Sequence, residues 1–162
     1  MIEFHAPSQD IIWQCVPFSV LSAQTVYDLL ALRIKIFSVE QNCPYQDPDG
    51  KDNQCWHVLA HFNGELVATA RILPPELSYS DACSIGRVAC SDTMRGQKVG
   101  QQLMQRAVDA CVEYFPNYPI RIGAQRYLER FYGQFGFETQ GKPYLEDGIV
   151  HVTMEKPAIS GS

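Results

Sequence analysis

The spacing of hydrophobic and polar residues changes along the chain, and each change marks an element. Residues 11–16, IIWQCV, form a short apolar run closed by Pro17 and predict a strand. Ser22 suits a helix N-cap, and Val26, Leu29, Leu30, Arg33, Ile34 and Phe37 follow near a 3.6-residue period. A helix is therefore expected to run from Ser22 and to end between Ile36 and Val39. Residues 43–53, CPYQDPDGKDN, are dense in Pro, Gly, Asp and Asn and predict a loop. Two strand-like runs, 56–62 and 65–73, flank Asn63-Gly64, a pair suited to a tight hairpin because both turn positions need positive φ. Residues 83–90 predict a further strand. Val99, Leu103, Ala107, Cys111 and Phe115 recur at every fourth position, so a long helix is expected over 97–115, stopped by Pro116. A strand over 120–124, a short helix over 126–134 and a hairpin of 137–145 with 149–156 complete the pattern, with a frayed tail after Lys156.

This order predicts an α+β or α/β fold on a mostly antiparallel sheet. One strand–helix–strand unit (83–90, 97–115, 120–124) is open to parallel pairing. There is neither an internal repeat nor a low-complexity linker, so one domain over 1–157 is expected, followed by a short tail over 158–162.

Composition narrows the class. The 162 residues are 46% hydrophobic, 19% charged and 11% aromatic, which argues against disorder. No window approaches the roughly 20 apolar residues of a membrane helix. Met1-Ile2-Glu3-Phe4-His5 has no basic stretch leading into an apolar run, so a secretory leader is not expected. Six cysteines form no Cys-x-x-Cys pair, and Cys55-Trp56-His57 with Cys43 matches no common metal site, so no metal is expected. Cys15, Cys90 and Cys111 read as small buried hydrophobes. The expected compartment is the reducing cytoplasm.

The net charge of -5 argues against a nucleic-acid partner, but the charge is uneven. Residues 1–86 hold 4 basic and 10 acidic side chains, residues 87–130 hold 7 and 4, and residues 131–162 hold 2 and 4. A basic segment in an acidic chain suggests a local anionic ligand, though a solvated face accounts for it as well.

That segment contains SIGRVACSDTMRGQKVGQQLM, residues 84–104. A strand ends near Cys90, and a loop leads through Arg95-Gly96 into the long helix. The first turn of a helix carries backbone N–H groups without internal partners at its positive end, which suits phosphate. Gly96 and Gly100 allow a close approach, and Arg95 and Lys98 add charge. Neither a Walker P-loop nor a Gly-x-Gly-x-x-Gly fingerprint is present. On the hexapeptide alone, an ordinary basic helix start explains the residues equally well.

Several motifs in order resolve this. Arg95-Gly96-Gln97-Lys98-Val99-Gly100 resembles the Q/R-x-x-G-x-G/A signature of the GNAT superfamily of acyl-CoA-dependent N-acetyltransferases. FYGQFGF (131–137) resembles that family's FYxxFGF segment, and LRIKIFSVEQ (32–41) its LRxxVFVxEQ stretch. With CPYQDPDGKD (43–52), SIGRV (84–88) and YLEDGIVH (144–151), the similarity narrows to the ElaA-like subfamily and spans nearly the whole chain. Two residues depart from the pattern: Lys98 stands where the signature has Gly, and Gln125 where the family often has Asn.

The resemblance implies an α/β sandwich with a central mixed, mostly antiparallel sheet flanked by helices. It implies acetyl-CoA as acyl donor and an amine acceptor that attacks the thioester directly. The pantetheine arm would pair with the backbone of Val88, Ala89 and Cys90. The pyrophosphate would sit on Arg95, Gly96, Gln97, Lys98, Val99, Gly100 and Gln101, with Gln125 nearby. Tyr132 matches the position of the general acid that protonates the leaving thiolate; its alternative is a core aromatic beside Phe131, Phe135 and Phe137. Glu40 is the first choice for a base, with His57, Glu146 and His151 as further candidates. Arg87 reads as a structural partner for an acid. Asp47, Asp49 and Asp52 read first as turn chemistry, where Asp is favoured, with attraction of a cationic amine acceptor as the alternative. A covalent route through Cys90 is disfavoured. The partners implied are acetyl-CoA and an unidentified amine, without nucleic acid or membrane, with a homodimer left open. Two other readings share the fold: a non-catalytic acyl-CoA-binding or sensor domain, and an acyl-homoserine-lactone synthase, for which no adenosylmethionine site is evident.

Overall fold

The computed structural model describes residues 10–94 and 96–159. Its strands are β1 (Ile12–Pro17), β2 (Trp56–Phe62), β3 (Glu65–Leu73), β4 (Ser84–Cys90), β5 (Ile120–Gln125), β6 (Glu138–Glu146) and β7 (Ile149–Lys156). Its helices are α1 (Ala23–Ile34), α2 (Val99–Tyr114) and α3 (Glu129–Gly133). The element order follows the hydrophobic pattern. Of the tail expected to fray, residues 160–162 lie outside the described residues.

Local chemistry explains the boundaries. The Ser22 hydroxyl accepts from Thr25 N at 3.1 Å and caps α1. The helix does not end at Ile36 to Val39 as an α-helix. It widens after Ile34 into a π-helical turn, Lys35–Glu40, closed by bonds such as Cys43 N to Ser38 O at 3.2 Å. Asn63 (φ 50°) and Gly64 (φ 79°) form the tight turn between β2 and β3, and Asp147 (φ 50°) with Gly148 (φ 76°) repeats it between β6 and β7.

The strands form two antiparallel sheets, β1-β2-β3-β4 and β5-β7-β6. Parallel pairing between β4 and β5 is confined to one bridge at the foot of β4: Cys83 N donates to Pro119 O at 3.1 Å, and Arg121 N donates to Cys83 O at 2.9 Å. Past that bridge β4 and β5 separate, and β4 becomes an edge.

The first sheet is covered on both faces. Leu29 and Leu32 of α1 meet Leu59, Leu66 and Ala89 on one side. Val99, Leu103, Met104, Ala107 and Cys111 of α2 meet Val58, Val67, Ala68 and Ile72 on the other. Double coverage explains why β3 is buried at eight consecutive positions instead of alternating. It also anchors β4 and the start of α2 from behind, which fixes the two features that a donor would contact.

Candidate active site

The open edge of β4 is the first component. Ser91 N donates to Val67 O at 2.7 Å, and the register pairs Ala68 with Cys90 and Thr69 with Ala89. Antiparallel pairs alternate between bonded and unbonded, so Cys90, and Val88 on the other side of Ala89, turn their backbone groups away from β3. A bulge interrupts the ladder just before, where Arg87 adopts φ 48°. The outward groups face the gap to β5, a cleft lined by Ile85, Val88, Ile122, Gln125, Tyr132 and His151.

The second component is the start of α2. Its first intrahelical bond runs from Gln102 N to Lys98 O at 3.1 Å, and no side chain caps it. Among the described residues, the N–H groups of Val99, Gly100 and Gln101 have no partner and are available to an anion. They open onto a hollow walled by Ile36, Glu40, Cys90, Ser91, Gly96, Lys98 and Phe131. A Cβ built on Gly96 or Gly100 would meet nothing within 4 Å, so both backbones are approachable. Gln97 N is engaged by Met94 O at 3.4 Å. Arg95, expected to add charge here, lies outside the described residues.

Tyr132 borders the first of these, and its neighbour Phe131 walls the second. Tyr132 stands on α3 with 9% of its surface exposed, edge-on to Phe131 (5.2 Å between centroids) and Phe137 (6.4 Å), and it lines the β4–β5 cleft. Its two readings are thus compatible: the ring packs in the core while one side borders the cleft. Burial, with a smaller push from Tyr127, raises its pKa to about 12, so the phenol keeps its proton at neutral pH.

The third component is a polar hollow of about 370 Å³. Its wall includes Gln41, Tyr45, Arg87, Gln125, Glu146 and His151. Gln41, Arg87, Gln125 and His151 also line the β4–β5 cleft, so the two spaces meet at these residues. Gln125 Nε2 donates to Gln41 Oε1 at 3.2 Å across that junction. His151 Nδ1 lies 2.8 Å from Ile149 O, and His151 Nε2 lies 3.4 Å from Glu146 Oε2.

The base candidates separate. Glu146 and His151 are in the polar hollow. Glu40 is exposed at the end of the π-helical turn and walls the anion hollow instead. His57 is 1% exposed, its Nε2 lies 2.9 Å from Asp52 O, and burial lowers its pKa; it is a structural residue. The Cys90 thiol is raised by burial, which disfavours the thiolate that a covalent route needs.

The acidic loop does more than turn. Asp49 Oδ1 does accept from Lys51 N at 3.1 Å, a turn contact. However, all three carboxylates are matched by arginines from three different elements. Arg33 pairs with Asp47 and Asp52 at 2.8 Å each, Arg71 with Asp49 at 2.6 Å and Asp52 at 3.1 Å, and Arg87 with Asp47 at 3.0 Å. Hydrogen bonding to Arg71 holds the Asp49 carboxyl far below its ordinary range. Burial pushes Asp52 upward, but Arg33 and Arg71 outweigh it and keep it below the ordinary value. Gln41, Tyr45 and Arg71 were not singled out from the sequence as site residues. Gln41 closes the LRIKIFSVEQ stretch and could have been found there; Tyr45 and Arg71 carried no spacing signal.

No helix of the described residues is long and apolar enough to cross a membrane, and among them no three His, Cys, Asp or Glu side chains gather to hold a metal.

Residues 37–158 match the model of an acetyltransferase (GNAT) domain. The chain is 46% identical to the protein ElaA of Escherichia coli (strain K12) over 151 residues, covering 92% of this chain and 98% of that one. It superposes on the crystal structure of Escherichia coli ElaA with a TM-score of 0.85 at 45% identity, covering 91% of this chain and 99% of that one. An acyl-CoA N-acyltransferase from Pseudomonas aeruginosa is similar at a TM-score of 0.86 and 38% identity, with 91% and 99% covered. The acyl-homoserine-lactone synthase LasI shares the fold alone, with a TM-score of 0.70 at 15% identity, covering 91% of this chain and 89% of that one.

Proposed function

The chain belongs to the GNAT acetyltransferase family, in its ElaA-like subfamily, and from that premise we propose that it transfers acetyl from acetyl-CoA to a primary amine in the cytoplasm. The observation that carries this reading is the order of the three spaces along β4. The cleft and the polar hollow share Gln41, Arg87, Gln125 and His151, and the anion hollow begins two residues further along β4 than Val88, at Cys90. Cys90 belongs to the anion hollow, Val88 to the β4–β5 cleft, and His151 to the cleft and the polar hollow together. A donor fixed by its pyrophosphate on Gly96, Lys98, Val99, Gly100 and Gln101 would lay its pantetheine along Val88, Ala89 and Cys90. Its thioester would then lie beside Tyr132, where an amine can reach it from the polar side.

The chemistry follows from that placement. The amine nitrogen attacks the thioester carbonyl, the C–N bond forms, and the C–S bond breaks. The thiolate takes the Tyr132 phenolic proton, which burial has retained for it. Gln125, bonded to Gln41 at the junction, would orient the end of the donor.

Turnover with acetyl-CoA and a panel of amines, read as free thiol, tests the reading. Tyr132→Phe is expected to lower kcat by about 100-fold with acetyl-CoA affinity retained, the usual scale of a lost general acid. Acetyl-CoA binding without turnover on any amine would overturn the reading and leave an acyl-CoA-binding domain.

A further inference from the structure

The β6–β7 hairpin brings the His151 imidazole and the Glu146 carboxylate face to face. His151 Nδ1 is 2.8 Å from the carbonyl oxygen of Ile149. A carbonyl only accepts, so Nδ1 carries a proton, and in the neutral ring Nε2 then presents a lone pair. That lone pair faces Glu146 Oε2 at 3.4 Å. A neutral imidazole nitrogen and a carboxylate at this distance have no donor between them. The group that satisfies both is one with several N–H bonds and a positive charge.

We propose that His151 and Glu146 form the seat of a primary ammonium acceptor, and that His151 Nε2 is the base that deprotonates it. The proposal rests on the acetyltransferase reading and deepens it. The ammonium donates one N–H to Nε2 and another to Oε2. Its proton passes to Nε2, the resulting imidazolium is held by the Glu146 carboxylate, and the freed lone pair attacks the thioester carbon. As C–N forms and C–S breaks, Tyr132 protonates the thiolate, and the second proton lost from nitrogen restores the phenol. The net proton leaves from His151 by way of Glu146, whose side chain is 59% exposed.

Position and rigidity support the assignment. His151 lines both the cleft that holds Tyr132 and the polar hollow. Its ring stacks on Tyr144 at 5.8 Å between centroids and 28° between planes. Tyr144 lies over β5 at Gly123, where a Cβ would stand 2.6 Å from its hydroxyl, so glycine there makes room for the ring that holds His151. Glu40, on the wall of the anion hollow, faces the other end of the donor. The charged or titratable groups around the seat are Glu146 and Tyr144 on β6, Asp147 in the turn, Arg87 on β4, Tyr132 on α3, Tyr79 before β4, Arg71 on β3, and Cys43, Tyr45, Asp49 and Lys51 of the acidic loop. Arg71 is matched by Asp49 and Asp52. Burial holds Tyr144 above its ordinary value and Tyr132 at about 12, so neither phenol ionises near neutrality.

Two measurements test this. In the first, propylammonium is titrated into the full-length protein while the His151 ring nitrogens are followed by NMR. A saturable shift at Nε2 is expected, lost in Glu146→Gln and absent with propanol. No saturable shift, or the same shift with propanol, overturns the seat whether or not any amine turns over. In the second, kcat/KM for an amine that is turned over is followed against pH in His151→Gln. The expected loss is about 100-fold near neutrality and narrows towards about pH 10, where a growing share of the amine arrives deprotonated. A loss of equal size at every pH would remove the base role. Absence of turnover with every amine, beside intact ammonium binding at His151, would overturn the acetyl-transfer reading and leave the seat.

Discussion

Lys98 occupies a left-handed backbone conformation, φ 56° and ψ 29°, immediately before α2. The family signature has glycine at this position, and glycine adopts such angles without a steric penalty. Lysine pays roughly 1 kcal/mol for them and places an ammonium beside the free N–H groups of the helix start. Two variants separate the effects. Lys98→Gly is expected to raise the thermal midpoint of the free protein by up to about 3 °C, and Lys98→Ala to leave it near wild type. Both should weaken acetyl-CoA binding by about 2- to 5-fold, the scale of one exposed charge. An unchanged midpoint in the glycine variant would sink the strain argument, and unchanged affinity in both would sink the electrostatic one. At this scale the sequence was informative where a role demands one residue type at a fixed spacing, as for Gly96, Gly100 and Tyr132. It was ambiguous for Glu146 and His151, because their meeting depends on how a hairpin closes. The departure at Lys98 was legible as a charge but not as a strained φ.

Elements show the same division between local and distant causes. Both tight hairpins were readable, since Asn63-Gly64 and the Glu146-Asp147-Gly148 stretch specify turn geometry within a few residues. The π-helical turn was not, because Ile34 and Phe37 satisfy the spacing of an ordinary helix equally well. The acidic loop was read as turn chemistry because its partners, Arg33 on α1, Arg71 on β3 and Arg87 on β4, lie far away in sequence. Its energetics now make a prediction. Arg33 and Asp47 have side chains 1% and 0% exposed, whereas Arg87 is 24% exposed. Removing one partner of a buried pair strands the other charge, which costs about 3–5 kcal/mol. Arg33→Leu should therefore destabilise the protein by about 3 kcal/mol, and Arg87→Leu by clearly less. Denaturant unfolding that ranks the two in reverse would disprove the buried-pair account. The pH dependence has a definite sign. The carboxyls of Asp49 and Asp52 lie below their ordinary value of 3.8 when folded, so their contribution is present above that pH. It declines only as pH falls below 3.8 towards the folded values, where the chain binds protons on unfolding.

The whole molecule is organised by where its sheet divides. Hydrophobic spacing assigns each strand its buried face, but it does not say which edges pair. Thus the strand–helix–strand unit suggested a parallel pair where only the Cys83–Ile120 bridge exists. The charge balance was similarly incomplete: Asp47, Asp49 and Asp52 are matched by Arg33, Arg71 and Arg87, so these three carboxylates are engaged within the fold rather than free to draw a cationic acceptor. The divided sheet leads to the last expectation. Cys90 and Val88 direct backbone groups into the gap between the sheets, whereas Ala89, one residue away, is bonded to β3. An edge amide without a partner exchanges its hydrogen through small local fluctuations, while a laddered amide waits for a larger opening. In the free protein, the amides of Val88 and Cys90 should exchange much faster than that of Ala89. Binding of acetyl-CoA should slow them, together with Val99, Gly100 and Gln101 at the start of α2, because these groups would then pair with pantetheine and pyrophosphate. Residue-resolved hydrogen exchange with and without acetyl-CoA makes the comparison. Protection confined to the α2 start would mean that the donor is held by its phosphates alone and that the open edge of β4 has another use. Protection at both places would tie the division of the sheet to donor binding.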